Sequence, residues 1–374
     1  MFLDPSAPRY WPIAQTPYET ETLAFCRAWL SDQVEFVLQT SGSTGTPKLI
    51  TLTRAQMGAS ALLTGRTLGL QAGDAALVCL NIRYVAGVMM LVRGLELDLP
   101  MTIIEPSGNP LAGFDPDQAR FAFAAFVPLQ LRAILEQATD KLSILNRMKA
   151  ILIGGAATSP ALEQVLQAIE SPVFATYGMT ETVSHIALRR LNGPERRDQF
   201  TALDGVDLGT DERGCLHITS AATNFVRVQT NDVVEMVDTP TVGPPTVGPI
   251  NFRLLGRADN VINSGGVKVQ PEQVEQVISI VLNERGLSWR VLVVGRPDER
   301  LGQRITAIYE VADPDESADF PAAHQAAGEA VSERIGRYAV PRDSFIYRAT
   351  FAETKTGKID RRATVAAVFD EPLS

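Results

Sequence analysis

The stretch 38-LQTSGSTGTPKLITLT-53 carries the strongest local signal for the fold. Apolar runs precede and follow it, so residues 34–38 and 49–52 are predicted to form two strands in a hairpin-like arrangement. Between them lie small hydroxylated residues and glycines that end in a proline and a lysine. Such a loop lets backbone N–H groups and hydroxyls approach phosphate oxygens, with the lysine as a point charge. The stretch therefore predicts a phosphate-binding loop.

Two other interpretations of this loop fit less well. A Walker A loop needs GxxxxGK[ST] between a strand and a helix, but the fifth position after Gly42 is Pro47, and Lys48 is followed by Leu49. A flexible Ser/Gly linker does not usually end in Pro-Lys and pass straight into a strand. The candidate phosphate-binding residues are Thr40, Ser41, Gly42, Ser43, Thr44, Gly45 and Lys48.

The composition is that of an ordinary globular protein, and it narrows the possible partners. The chain has 374 residues, 45% hydrophobic and 21% charged, which suggests two or three domains. A net charge of −9 argues against nucleic acid or an anionic membrane as partner. Three widely spaced cysteines show no metal or disulfide pattern, so a reducing cytoplasm is expected. The N-terminus does not resemble a signal peptide.

The longest apolar region, residues 85–104, is interpreted as buried core. Arg93, Glu96 and Asp98 interrupt it, which makes it too charged to span a bilayer.

Predicted strands alternate with predicted helices after a helix at 54–68. The strand-like runs are 75–80, 101–104, 122–126, 149–153 and 173–177, and the helical patterns are 85–95, 115–121, 128–137 and 159–169. This alternation is typical of an α/β fold with a mainly parallel sheet. The loops 154–158 and 178–182 follow carboxyl ends of strands, where such sheets carry their sites.

The second half of the chain has a different pattern of predicted secondary structure. Short β-like pieces at 215–219, 224–229, 233–237 and 252–255 predict a small β-subdomain at about 203–257. A tandem PTVGP repeat at 240–249 predicts an exposed insertion. Beyond it, helices at 272–285 and 321–335 and strands at 289–294 and 304–311 predict a small α+β domain. The expected division is 1–257 and 258–374.

Several further motifs occur in an order that identifies a family. TSGSTGTPK resembles the phosphate loop of the adenylate-forming enzymes, which include acyl- and aryl-CoA ligases, peptide-synthetase adenylation domains and luciferases. The resemblance covers about residues 34–366. It implies a large N-terminal AMP-binding domain, here with its N-terminal subdomain truncated, and a small mobile C-terminal lid. It also implies ATP, Mg²⁺ and coenzyme A as cofactor and co-substrates.

The resemblance assigns roles around the adenine. The motif 177-YGMTET-182 is similar to the adenine and magnesium motif, so Tyr177 is expected against the adenine, Thr180 at the α-phosphate and Glu181 on Mg²⁺. The motif 154-GGAAT-158 resembles the loop along the adenine. The remaining adenine-site candidates are Gly154, Gly155, Ala156 and Gly178.

Three motifs in the C-terminal half complete the resemblance. In 230-TND-232, where the family carries Thr-Gly-Asp, Asp232 is expected to hold the ribose, and asparagine replaces glycine. The stretch 256-GRADNVINSGGVKVQPEQVE-275 resembles the interdomain hinge, with Arg257 at the ribose or phosphate and Asp259 as pivot. Gly265 and Gly266 are expected to border the coenzyme A channel. The motif 354-TKTGKIDRR-362 resembles the C-terminal catalytic loop, which makes Lys358 the adenylation lysine.

Three segments resemble one branch of the family, the o-succinylbenzoate–CoA ligases of menaquinone biosynthesis. They are 80-LNIRYVAGVMMLVRGL-95, 126-FVPLQLRAIL-135 and 177-YGMTETVSHIALRRLNG-193. The branch implies activation of a small-molecule acid to an acyl-adenylate, followed by thioester formation with coenzyme A. The acid-binding candidates are Arg83, Tyr84, Gln130, Ser184 and His185. Arg83 and His185 are expected at the second carboxylate or the ketone, although Arg83 equally fits a surface cation and His185 a loop hydrogen bond.

Three alternatives stay open at this point. They are another aryl- or acyl-CoA ligase, a stand-alone adenylation enzyme that loads a carrier-protein thiol, and a non-enzymatic nucleotide-binding relative. The last fits poorly because both Lys358 and Glu181 are present.

Overall fold

The computed structural model describes residues 1–31, 33–39, 49–237, 250–311, 318–354 and 358–369. The phosphate-binding loop expected at 40–48 and the PTVGP repeat lie outside the described residues.

The helices begin and end where local sequence favours it. They are α1 (Pro17–Leu30), α2 (Arg54–Leu68), α3 (Val85–Glu96), α4 (Pro128–Gln137), α5 (Leu142–Leu145), α6 (Pro160–Val165), α7 (Pro271–Glu284), α8 (Phe320–Arg334) and α9 (Arg361–Phe369). Thr53 and Gln56 form a capping box at the start of α2, and Gly69 ends that helix with φ 65°. Prolines occupy the first turn of α4 and α7, where a missing N–H costs nothing.

Most of the described strands belong to one large sheet. The strands are β1 (Phe2–Leu3), β2 (Glu35–Gln39), β3 (Leu49–Thr53), β4 (Ala76–Val78), β5 (Met101–Ile103), β6 (Phe123–Phe126), β7 (Ala150–Ile153), β8 (Val173–Gly178), β9 (His185–Arg190), β10 (Phe200–Ala202), β11 (Asp207–Thr210), β12 (Cys215–Thr219), β13 (Val228–Val237), β14 (Asn251–Arg257), β15 (Ile262–Ser264), β16 (Val267–Val269), β17 (Arg290–Asp298), β18 (Gly302–Glu310) and β19 (Asp343–Tyr347). The order in the large sheet is β1-β5-β4-β6-β7-β8-β9-β10-β14-β13-β12-β11.

The α/β class expected from the sequence is confirmed, with parallel and antiparallel parts in the same sheet. Strands β5, β4, β6, β7 and β8 pair in parallel, and the strands from β9 to β14 pair antiparallel. Every residue of β4, β6 and β7 is buried, which is typical of parallel strands covered by helices on both faces. Strands β7 and β8 end at Ile153 and Gly178, so the loops that follow share one edge of the sheet.

The hairpin that frames the first motif is also confirmed. Strands β2 and β3 pair antiparallel, with Gln39 opposite Leu49. The two ends of the predicted phosphate-binding loop therefore lie side by side.

The helix predicted at 115–121 is wrong. The segment forms a turn in which the Asp115 carboxylate accepts hydrogen bonds from the Asp117 backbone N–H and the Gln118 side chain, both at 2.8 Å. An aspartate that binds the backbone two residues on offers the chain a turn in place of a helix.

The strand predicted at 224–229 is also wrong. Asn224 and Phe225 adopt left-handed backbone conformations, with φ 50° and 57°, which interrupt any strand there. Strand β13 begins at Val228 and runs unbroken to Val237. The Thr-Asn-Asp motif at 230–232 therefore lies within a strand.

The C-terminal segment has its own sheet and core. In its sheet the order is β16-β15-β18-β17, with β19 pairing with β18. Helices α7 and α8 bury Val274, Ile278 and Ala327 together with Val293 and Tyr309 of this sheet. The exact division at 257/258 stays a prediction. Among the described helices, none combines the length and apolar character that crossing a membrane requires.

Candidate active site

Tyr177 and Asp232 join two strands of the large sheet at the edge that carries the site. The Tyr177 hydroxyl, at the end of β8, donates a 2.7 Å hydrogen bond to Asp232 Oδ2 on β13. The ring is buried and packs against Phe200 and Phe252, with centroids 5.9 and 5.2 Å away. Burial and the Asp232 charge raise the pKa of Tyr177, so it stays a donor. Asp232 is thus held in place while part of its acceptor capacity stays open.

Arg257 links this pair to the predicted hinge. It ends β14 and donates to Asp232 Oδ1 at 3.2 Å through Nη1 and to Asp259 Oδ2 at 2.8 Å through Nη2. Asp259 also accepts from the Asn231 amide, 3.1 and 3.3 Å from its two oxygens. The residues predicted separately for the ribose and the hinge therefore form one hydrogen-bonded group.

Lys358 comes to the same group from the far end of the chain. Its backbone N–H donates to Thr354 Oγ1 at 3.2 Å, and its carbonyl accepts from the Thr354 N–H at 2.8 Å. Lys358 is exposed to solvent, and partial desolvation lowers the pKa of its ammonium. The Asp232 charge counteracts that lowering and the Arg257 charge adds to it. Residues 355–357 lie outside the described part of the chain.

Arg361 anchors the segment that carries Lys358. It begins α9 and donates to both oxygens of Glu275 on α7, at 2.7 and 2.6 Å, and to the Val293 carbonyl at 3.0 Å. One nitrogen, Nη2, serves both carboxylate oxygens, and Nη1 serves the carbonyl, so the guanidinium is held from two sides. The position of Lys358 is therefore set by α7 and β17.

Two of the predicted adenine-site glycines are required by close packing. A Cβ at Gly178 would lie 2.2 Å from the Ser184 carbonyl oxygen, and one at Gly154 would lie 2.5 Å from Thr176 Oγ1. Gly155 and Ala156 follow Gly154 in the same loop. These four residues lie on the edge of the sheet that carries Tyr177, and their contacts with adenine stay predictions.

A strained turn at Val183 follows the YGMTET segment and separates it from Ser184 and His185. Thr180 is buried at the start of a short turn, Thr180–Thr182. Val183 then adopts φ 65° and ψ −53°, and the Ser184 N–H donates to the Thr182 carbonyl at 2.7 Å. This γ-turn is rare for a β-branched residue and costs energy, which makes it a marker of a functional segment. The half-buried Ser184 follows directly after this turn.

Glu181 is suited to a magnesium ion that also binds phosphates. Its side chain is exposed at the sheet edge. The described residues contain no cluster of three or more His, Cys, Asp or Glu side chains that could enclose a metal. Mg²⁺ commonly uses one or two carboxylates together with waters and substrate phosphates, so a single exposed carboxylate fits it.

A buried arginine that the sequence analysis overlooked lies behind the strained turn. Arg93 of α3 is 2% exposed. Its Nη2 donates to Ser184 Oγ at 2.6 Å and lies 3.5 Å from His185 Nδ1, and its Nε lies 3.3 Å from Thr64 Oγ1. His185 Nε2 is 3.3 Å from the same Thr64 hydroxyl. These four side chains are called the Arg93 cluster below.

The Arg93 cluster carries a positive charge that no described carboxylate balances. Burial lowers the pKa of Arg93 to about 9, which leaves it charged at neutral pH. Burial and the Arg93 charge lower the pKa of His185 well below its usual range, so the imidazole is neutral. Burying a cation without a counter-ion lowers the stability of the folded protein, and an anionic ligand that binds the cation would offset that loss. The sequence signal for this cluster is an arginine within the apolar run 85–104, because a charged residue in a predicted core segment needs a partner.

Two acid-binding candidates lie together and three do not join them. Ser184 and His185 belong to the Arg93 cluster. Arg83 lies at the surface, with its side chain 70% exposed, and forms an ion pair with Glu21 at 2.6 Å. Tyr84 is the residue before α3, and buried Gln130 uses its amide on the Cys79 and Ser107 carbonyls. Arg83 and His185 thus have different partners, Glu21 and the Arg93 cluster, and their roles toward the acid stay predictions.

Gly265 and Gly266 form the tight turn expected of them. They connect β15 and β16, with φ 61° and 85°. Positive φ at both central residues is the condition for a two-residue hairpin turn and favours glycine. Their place beside a coenzyme A channel stays a prediction.

The buried state of His185 predicts a pH dependence of stability. Since its folded pKa is depressed, the unfolded chain binds an extra proton below about pH 6.5, and stability is lost as the pH falls. Between pH 7.5 and 5.5 we expect the free energy of unfolding to drop about 1.4 kcal/mol more in the wild type than in His185→Gln. Urea unfolding measures it, with His217→Gln on β12 as control. Equal drops in the wild type and His185→Gln would contradict the assignment.

Comparisons with known proteins identify the family of the chain. The family model described as AMP-binding enzyme matches residues 9–204, about half of the chain. A solved structure from Dyadobacter fermentans DSM 18053, an acyl-CoA synthetase (AMP-forming)/AMP-acid ligase II-like protein, is 42% identical with a TM-score of 0.65. That match covers 98% of this chain and 99% of the other.

Two curated relatives carry more specific names. The 2-succinylbenzoate–CoA ligase of Listeria monocytogenes serotype 4b (strain F2365) is 26% identical over 78% of this chain. The probable 2-succinylbenzoate–CoA ligase of Mycobacterium tuberculosis is 28% identical over 90% of it. The chain spans 62% of the length of the first and 85% of the second. With the family model and the Dyadobacter structure, these matches show that the chain belongs to the family of AMP-binding enzymes.

Proposed function

We propose that this protein activates a carboxylic acid with ATP to form an acyl-adenylate and then transfers the acyl group to coenzyme A. The acid proposed is o-succinylbenzoate, which places the reaction in menaquinone biosynthesis. The observation that carries the proposal is the hydrogen-bonded group of Tyr177, Asp232 and Arg257 on the sheet edge that also bears Thr180. The charges of Asp232 and Arg257 act on Lys358 as well.

In the first half-reaction a carboxylate oxygen attacks the α-phosphorus of ATP. The bond to the bridging oxygen of pyrophosphate breaks, and pyrophosphate leaves with that electron pair. Both reactants are anionic, so their approach needs cations in a site that excludes water. Lys358 supplies one such charge, and Lys48, outside the described residues, is the candidate for the leaving pyrophosphate. Mg²⁺ held by Glu181 would neutralise phosphate charge when bound.

The nucleotide is positioned for this step by Asp232 together with Tyr177 and Arg257. With Tyr177 and Arg257 as its donors, the Asp232 carboxylate is oriented to accept hydrogen bonds from the ribose hydroxyls. A fixed nucleotide brings the α-phosphorus to the Lys358 ammonium, and this orientation lowers the barrier in addition to the charge.

In the second half-reaction the coenzyme A thiolate attacks the acyl carbon, and AMP leaves. This step has no use for an ammonium at the α-phosphate. Asp259 lies in the short segment between β14 and β15, where a change of backbone angles would swing the residues that follow. We therefore place the hinge at Asp259, with domains 1–257 and 258–374, and the coenzyme A channel beside Gly265 and Gly266.

The Arg93 cluster supports the choice of a substrate acid that carries a second carboxylate. The guanidinium can donate two parallel hydrogen bonds to a carboxylate. Neutral His185 and Ser184 beside it can bind that carboxylate or a ketone. o-Succinylbenzoate has both groups, in addition to the carboxylate that is activated.

We also propose that the protein works in the cytoplasm. The three cysteines are free and buried, as expected in a reducing compartment.

A panel of carboxylic acids, scored by pyrophosphate release and then by coenzyme A-dependent AMP release, tests the proposal. We expect the highest kcat/KM with o-succinylbenzoate and a loss of about 100-fold for an analogue without the ring carboxylate. A simple fatty or aryl acid that outperforms it would favour another acyl- or aryl-CoA ligase. AMP release that needs a carrier-protein thiol in place of coenzyme A would favour a stand-alone adenylation enzyme.

A further inference from the structure

Asn231 makes a contact that a glycine at its position could not make. In β13 it stands where the resembling motif has glycine, and its amide nitrogen lies 3.1 and 3.3 Å from the two carboxylate oxygens of Asp259. Asp259 therefore has donors on two sides, Asn231 from the large sheet and Arg257 from its own segment, at 2.8 Å.

We propose that Asn231 is a positioning residue that holds Asp259 against β13 and so stabilises the domain orientation in which Lys358 faces the nucleotide site. The catalytic consequence rests on the function proposed above, whereas the effect on domain orientation does not.

A second ion pair fixes which way the Asn231 amide points. Arg213 pairs with Asp211 at 2.8 Å, and its Nη1 lies 3.5 Å from Asn231 Oδ1. With its oxygen turned to this guanidinium, the amide directs its nitrogen toward Asp259. The amide is therefore preorganised to donate to Asp259, so less side-chain freedom is lost when the contact forms.

The contact belongs to one orientation of the two domains. A rotation about Asp259 moves its carboxylate away from β13 and breaks the Asn231 contact, because Asn231 stays with the large sheet. A second hydrogen bond across the same boundary, from Asn283 Nδ2 of α7 to Gln164 Oε1 of α6 at 2.8 Å, would also break. An interaction made in one state alone shifts the equilibrium by its own free energy. One partly exposed hydrogen bond corresponds to about a five-fold shift.

Spin labels can report the domain orientation without any substrate. Cysteines introduced at exposed Leu129 on α4 and exposed Tyr338 provide one site on each domain, while the natural cysteines are buried. We expect Asn231→Ala to raise the population with a different interlabel distance by about five-fold relative to the wild type. Asn231→Asp should raise it further, because two carboxylates then face each other.

The matched control is Glu235→Ala, on the same strand. Glu235 pairs with Arg253 at 3.1 Å. This pair lies farther along β13 and β14 than the Asp232–Arg257 pair, on the side away from Asp259. A distance distribution unchanged in both Asn231 variants, or changed equally in Glu235→Ala, would overturn the proposal.

The two half-reactions separate this inference from the proposed function. In Asn231→Ala we expect the ratio of the adenylation rate to the rate of thioester formation from supplied acyl-adenylate to fall about five-fold. An unchanged ratio in an active enzyme would overturn the inference alone. If the wild type releases no pyrophosphate with any acid, the proposed function fails, and the spin-label distances still decide whether Asn231 holds the hinge.

Discussion

Replacing Lys358 with alanine is expected to slow adenylate formation by about 100- to 1000-fold while leaving thioester formation from supplied acyl-adenylate near the wild-type rate. The magnitude follows from the removal of one preorganised charge aimed at the phosphate, where negative charge develops in the transition state. The selectivity follows from the second step, in which the acyl carbon is attacked and the α-phosphate is only a leaving group.

The first prediction is checked by single-turnover pyrophosphate release and, separately, by AMP release from chemically prepared acyl-adenylate with coenzyme A. Arg362→Ala is the matched control, since it removes an exposed cation of the same segment and should leave both rates within about two-fold. Equal losses in the two half-reactions of Lys358→Ala would contradict a lysine that serves one step only. Arg361 is unsuitable as a control because its contacts with Glu275 hold the segment in place.

The second large effect is expected at Arg93. Arg93→Met should raise KM for o-succinylbenzoate by about 100-fold, within the cost of truncating one partner of a buried charge pair. It should change KM for the analogue without the ring carboxylate only slightly, since that analogue offers the guanidinium no anion. Because Arg93 is buried without a described carboxylate partner, its replacement by an apolar side chain should not lower the free energy of unfolding of the ligand-free protein.

Arg83→Ala provides the control for Arg93, because it removes an arginine from the neighbouring surface segment. Its pair with Glu21 is exposed and screened by solvent, so we expect no measurable change in stability and no change in KM. Steady-state kinetics with both acids and urea unfolding measure these quantities. Equal rises in KM for the two acids in Arg93→Met would remove Arg93 from recognition of the second carboxylate, and a rise confined to Arg83→Ala would return that role to Arg83.

Helix bounds are predicted best from local sequence where capping residues, glycine or proline determine where the helix begins and ends. Helices α2 and α4 have the bounds that sequence predicted, because a capping box with a left-handed glycine limits one and a first-turn proline begins the other. The helix predicted at 115–121 does not form because the Asp115 carboxylate accepts the Asp117 backbone N–H and so favours a turn over helical hydrogen bonds.

The candidate site was predicted by motif order more than by local pattern. Local pattern near Lys358 does not indicate which residues it faces, because the packing of α9 on α7 through Arg361 and Glu275 sets the position of its segment. Arg93 was missed because an arginine inside an apolar helix looks like an interruption until its burial is known. Arg83 is a candidate because an arginine can donate two hydrogen bonds to a carboxylate, and its side chain donates both to Glu21.

The most direct test of ATP-dependent acid activation is exchange of labelled pyrophosphate into ATP without coenzyme A. Reversible adenylate formation predicts exchange that requires o-succinylbenzoate and is lost in Lys358→Ala. Absence of exchange with every acid offered, or exchange that continues unchanged in Lys358→Ala, would contradict the account.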